Sequence, residues 1–82
     1  MPSNLKNQSL SKEISAFVGE SKIAAPLTAL QEKYHDVEIG SYPFVKESKL
    51  GTSIVLRSIN QERLEQAFAE AYTMLQNNGE VI

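Results

Sequence analysis

Val37-Glu38-Ile39-Gly40-Ser41-Tyr42-Pro43-Phe44, then Lys46-Glu47-Ser48-Lys49-Leu50-Gly51, then Thr52-Ser53-Ile54-Val55-Leu56-Arg57-Ser58-Ile59 is the stretch that decides the fold. Val37 and Ile39 flank Glu38, while Ile54 and Leu56 interleave with Ser53, Val55 and Arg57. That is the period-two pattern of half-buried strands. The polar link between the two runs is of hairpin length. Pro43 has no N–H to give a ladder, so the first strand is predicted to be a sheet edge or to bulge there.

Helical stripes lie on either side of this hairpin. Upstream, Ile23, Leu27, Leu30 and Tyr34 fall at i, i+4, i+7 and i+11. Ser21 is the candidate N-cap, and Pro26 predicts an irregular first turn with the regular helix starting near it. Downstream, Leu64, Ala67, Phe68, Ala71, Tyr72 and Leu75 form the strongest periodic signal in the chain. Asn60 is placed to cap that helix and Gly79 to end it as a C′ residue. Phe68 is predicted to be core.

Lys12 to Val18 alternates again, with Ile14, Ala16 and Val18 on one side and Glu13, Ser15 and Phe17 on the other. Glu80-Val81-Ile82 is a candidate last strand. The order β-α-β-β-α(-β) predicts an α+β, ferredoxin-like split βαβ fold, an antiparallel sheet with two helices on one face. Residues 1–10 are polar and aperiodic and read as a leader or linker remnant, leaving 11–82 as one domain.

Composition narrows the function classes. The 82 residues include eight Lys plus Arg against ten Asp plus Glu, and no Cys. A net charge of −2 with no basic run opposes phosphate-backbone binding. Without Cys there are no disulfides, thiolate nucleophiles or zinc–thiolate sites. Nothing in the N-terminal residues resembles a signal peptide, and no run is long enough to span a bilayer, so a cytoplasmic location is expected.

Glu20-Ser21-Lys22-Ile23-Ala24-Ala25-Pro26-Leu27, the run from Leu30 to Phe44, and Gly51 to Ser58 together look like a family signature. They resemble the segment after the nucleotide-binding domain in CinA-type competence/damage-inducible proteins of the molybdopterin-binding-like (MoaB/MogA-like) family. Related segments follow the molybdopterin-binding-like domain of some FAD synthetases. The resemblance covers about residues 10–79, and Ile39-Gly40-Ser41-Tyr42-Pro43 carries most of it. It implies a hydrolase site in an N-terminal domain whose Gly-rich loop and acidic residues are not found in these 82 residues. By that resemblance the chain is a lone C-terminal module or a fragment, with a MoaB/MogA-like domain or a second copy of itself as partner.

Each candidate residue has a structural reading beside its functional one. In the Ile39–Pro43 motif, Ser41 and Tyr42 offer hydroxyls to a ligand or neighbour. The favoured reading is local: Gly40 permits a bulge, Pro43 ends pairing and Tyr42 packs. His35 is the only histidine and sits in a polar link, where a solvated side chain is expected. Arg57 offers an anion contact or, as favoured, a cross-strand pair with Glu38 or Glu13. No metal site and no cofactor is expected.

Strand parity sends Phe17, Tyr42, Val55 and Phe44 to the sheet face away from the helices, more apolar than a solvated face requires. A non-catalytic docking module working through that face is the leading expectation. A single-stranded RNA binder of the RRM type is the alternative, because that module has the same element order and stacks bases on its first and third strands. Strand three here offers no aromatic.

Overall fold

The computed structural model describes residues 9–82. Its elements are β1 (Leu10–Phe17), α1 (Glu20–Lys33), β2 (Glu38–Lys46), β3 (Lys49–Ser58), α2 (Gln61–Asn78) and β4 (Glu80–Val81). All four strands form one antiparallel sheet in the order β2-β3-β1-β4. That is the ferredoxin-like split βαβ arrangement, with β3 inserted between β1 and β2. Residues 1–8, the bulk of the expected leader, lie outside the described residues.

The core follows from the alternation. Ile14, Ala16, Ile54 and Leu56 meet Ile23 and Leu30 of α1 and Leu64, Ala67, Ala71 and Leu75 of α2, with Val18, Tyr34 and Val37 closing the ends. Full burial of a Leu or Ile side chain contributes about 1.5–3 kcal/mol, so this single layer between helices and sheet carries most of the stability. Thr52, also buried, donates its hydroxyl to the Val18 carbonyl at 3.0 Å, which satisfies it without water.

Several local expectations are corrected. The hairpin has no bulge at Gly40 or Pro43: β2 pairs with β3 continuously from Glu38↔Arg57 to Lys46↔Lys49. Of the two readings of Pro43, the edge is the one observed. The connection is only Glu47 and Ser48, both with positive φ, so the strands run further toward the tip than their apolar pattern suggests. The positive φ values give the backbone twist that two-residue hairpins need.

Helix α1 starts at Glu20 with Gly19 at the N-cap position and no side-chain cap, and Ser21 lies inside it. Its first turn is tightened by a three-residue bond from the Lys22 N–H to the Gly19 carbonyl, 3.0 Å. The helix nevertheless continues through Pro26. Pro26 deprives only the Lys22 carbonyl of a partner, on a first turn exposed to solvent.

Asn60 caps α2 as expected, accepting from the Arg63 N–H at 3.1 Å. Gly79 does not adopt the left-handed conformation of a C′ residue; its φ and ψ are −169° and −162°. Its requirement is space, since a Cβ there would lie 2.6 Å from the Phe17 carbonyl oxygen and 2.7 Å from the Val18 Cβ. Phe68 is not a central core residue. It is half-buried at the margin of the cluster, and Tyr72 is exposed.

Candidate functional site

Both helices share the core with one side of the sheet, leaving the other side open. The register sets out the rows of this open face. Phe17 and Phe44 lie on either side of Gly51, Ser15 and Tyr42 on either side of Ser53, and Glu13 and Gly40 on either side of Val55. Ser11, Arg57 and Glu38 form the next row. The four apolar residues expected there are therefore on one surface, three half-buried and Tyr42 exposed.

The two glycines explain how these aromatics lie. The Phe44 ring covers Gly51 and the Tyr42 ring covers Gly40, each filling space that a side chain would take. An aromatic laid on a strand glycine restores the apolar cover that the glycine lacks. Phe17 then meets Phe44 with ring centroids 6.1 Å apart, tilted at 60°. Lys49 holds its ammonium 5.1 Å from the centre of the Phe17 ring.

Sequence reasoning missed the polar centre of this face. The Ser15 and Ser53 hydroxyls bond to each other at 2.7 Å, beside a shallow depression of about 240 Å³ lined by Ser15, Phe44, Lys46, Ser53 and Ile82. Parity alone put both serines on the open face. Only the β1–β3 register brings them opposite each other.

The Ile39–Pro43 motif is split by the pleat. Gly40 and Tyr42 belong to the open face. Ser41 turns to the helix side and donates to the Glu20 carboxylate at 2.7 Å. Ile39 gives its backbone N–H to Gln31 Oε1 at 3.2 Å. Arg57 stands opposite Glu38 in register, yet no salt bridge forms between them. The ion pairs found among the described residues are Lys33–Glu70 and Arg63–Asp36.

Those two pairs build a second polar cluster, away from the open face, that ties the end of α1 to α2. Lys33 Nζ lies 2.9 Å from Glu70 Oε2, and the Tyr34 hydroxyl donates to the same oxygen. Arg63 reaches Asp36 at 3.0 Å and stacks its guanidinium 4.5 Å from the Tyr34 ring centre. Hydrogen bonds from Lys33 and then Tyr34 hold the Glu70 carboxyl below its ordinary range, and Arg63 does the same for Asp36. The bond to Glu70, reinforced by burial, raises the Tyr34 phenol.

His35 is exposed in the turn beside this cluster. Among the described residues no three His, Cys, Asp or Glu side chains converge as metal ligands. No described helix is long and apolar enough to cross a membrane.

A two-layer split βαβ domain with one aromatic, uncovered sheet face is the class of protein defined so far. Residues 8–81 match the family model of the FAD synthase middle domain, and the chain belongs to that family. No curated protein and no solved structure matches it. The family assignment corrects the resemblance drawn from the sequence. The chain is not a C-terminal module of the CinA type, and the molybdopterin-binding-like and competence descriptions fall with that reading. The Ile39–Pro43 run, which carried the resemblance, is an edge-strand segment whose residues have local structural duties.

Proposed function

We propose that this chain is a non-catalytic docking module of FAD synthase-type proteins. Its working surface is the open sheet face, applied to a neighbouring domain of such a protein or to a second copy of this one. The observation that carries the reading is the presence of Phe17, Phe44, Tyr42 and Val55 together on a face that neither helix covers. Burying about 300 Å² of apolar surface there would contribute on the order of 7 kcal/mol before association costs. A further support is the family itself, described as a middle domain.

The test is Phe17→Lys combined with Val55→Glu, with Tyr42→Lys as a milder variant at an exposed position. Sedimentation of the isolated domain, and its binding to the flanking domains of an FAD synthase, are compared with wild type. Weakened association with unchanged circular dichroism supports the proposal. A monomeric wild type that binds neither flanking domain overturns it, and salt-dependent binding of single-stranded RNA would point to the RRM-like alternative.

A further inference from the structure

The open face is not uniform along its strands. At the hairpin end Lys46 and Lys49 stand opposite each other in register, both exposed. At the far end Arg57 stands between Glu38 and Ser11, and Glu13 lies one row further in, opposite Val55. None of these five charged side chains has an ion pair among the described residues. One end therefore carries two ammonium groups, and the other two carboxylates against a single guanidinium. Glu80, opposite Phe17 on β4, lies at the rim.

The apolar relief is asymmetric along the same direction. Ser15, Ser53 and Tyr42 form the middle row. One row toward the hairpin, the Phe17 and Phe44 rings meet with centroids 6.1 Å apart, and Phe44 lies over Gly51. One row the other way, Val55 stands between Glu13 and Gly40.

A half-turn about an axis across the strands, at the middle row, exchanges these two rows between copies. It lays Val55 of each copy on the Phe17–Phe44 pair of the other, and the basic end of each over the acidic end of the other. Lys49, whose ammonium lies 5.1 Å from the Phe17 ring centre, is carried toward the second copy's Glu13. Stacked sheets keep their strand directions within about 30°, so the rows next to the axis stay matched. The charges at the ends need no close register, because they act across about 8–10 Å at physiological salt. An axis along the strands would instead stack each row on its own kind and set the lysines of the two copies against each other. Like charges across an interface oppose that arrangement.

We propose that the open face takes a second copy of this chain, turned end for end about the Ser15–Ser53–Tyr42 row. The proposal rests on the docking reading of that face and names its occupant. Five rows about 7 Å apart on three strands about 4.8 Å apart span on the order of 400 Å² per copy. That is about half of a standard interface, so the dimer is weak and reversible.

The experiment follows self-association of the 82-residue chain by sedimentation equilibrium. Wild type should dimerise below about 1 mM, and added salt should weaken the dimer. Lys46→Glu with Lys49→Glu should weaken self-association at least about tenfold, and so should Glu13→Lys with Glu38→Lys. All four positions are exposed, so folding should be unaffected. An equimolar mixture of the two double variants should associate at least as tightly as wild type, which also shows that both are folded. Stacking about the other axis sets like charges together in wild type and in each double variant alike. Double variants that self-associate as wild type does would therefore overturn the end-for-end arrangement. A wild type still monomeric at about 1 mM would overturn the second copy as occupant. If that monomer nonetheless binds a flanking FAD synthase domain through Phe17 and Val55, the docking reading stands without it.

Discussion

The Phe44 ring lies on Gly51 so closely that a Cβ added to the glycine would sit 2.3 Å from Phe44 Cζ. The two residues are direct cross-strand partners. The glycine makes room for the ring, and the ring covers the glycine and meets Phe17.

Gly51→Ala should therefore expel the Phe44 ring rather than fill a gap. The expected loss is about 1–3 kcal/mol, as for overpacking. Urea denaturation would measure it, and loss of the ring-current shift on Phe17 protons would confirm that the ring has moved. Gly19→Ala is the control, because its Cβ would meet nothing within 4 Å.

On α2 the fully buried Leu75 lies two turns beyond the helix's most conspicuous aromatic, Phe68. Leu75→Ala, at a fully buried position, should cost about 3–5 kcal/mol, enough to unfold so small a domain. Phe68→Ala, at the margin, should cost less. Equal denaturation midpoints for the two variants would contradict the packing described.

Glu47 and Ser48 occupy the left-handed region with φ of 53° and 66°. An Asn-Gly pair is better suited to such a turn, so Glu47→Asn with Ser48→Gly should stabilise the hairpin by about 0.5–1 kcal/mol. Thermal unfolding would detect the gain. A loss would mean that the turn geometry is different.

The Glu70 and Asp36 carboxyls have folded-state values below their ordinary ones. A depressed carboxyl adds stability that is present above the unfolded value and is lost as pH falls through the folded one. Melting temperature should thus decline as pH drops below about 4, where ordinary carboxylates protonate. Glu70→Gln should flatten that decline by removing the acceptor shared by Lys33 and Tyr34. An unchanged pH profile in the variant would show that the pair contributes nothing, as exposed ion pairs sometimes do.

The sequence by itself determined the element order, the two helical stripes and the face assignment of the strands. Those properties depend on periods of 3.6 and 2 written into neighbouring residues. Ile14, Ala16, Ile54 and Leu56 had to share a side, and Phe17, Tyr42 and Val55 had to take the other. Asn60 was legible as a cap because capping is local. What the tertiary structure alone decided was register and approach. Ser15 meets Ser53, Phe44 covers Gly51, and Gly79 is needed beside Phe17 and Val18 through contacts between residues distant in sequence, which no local pattern encodes. The β2 edge, where Ile39 gives its N–H to Gln31 and Pro43 has none to give, belongs to the same category. Whether a strand's outward N–H groups find a partner depends on which elements the fold places beside it.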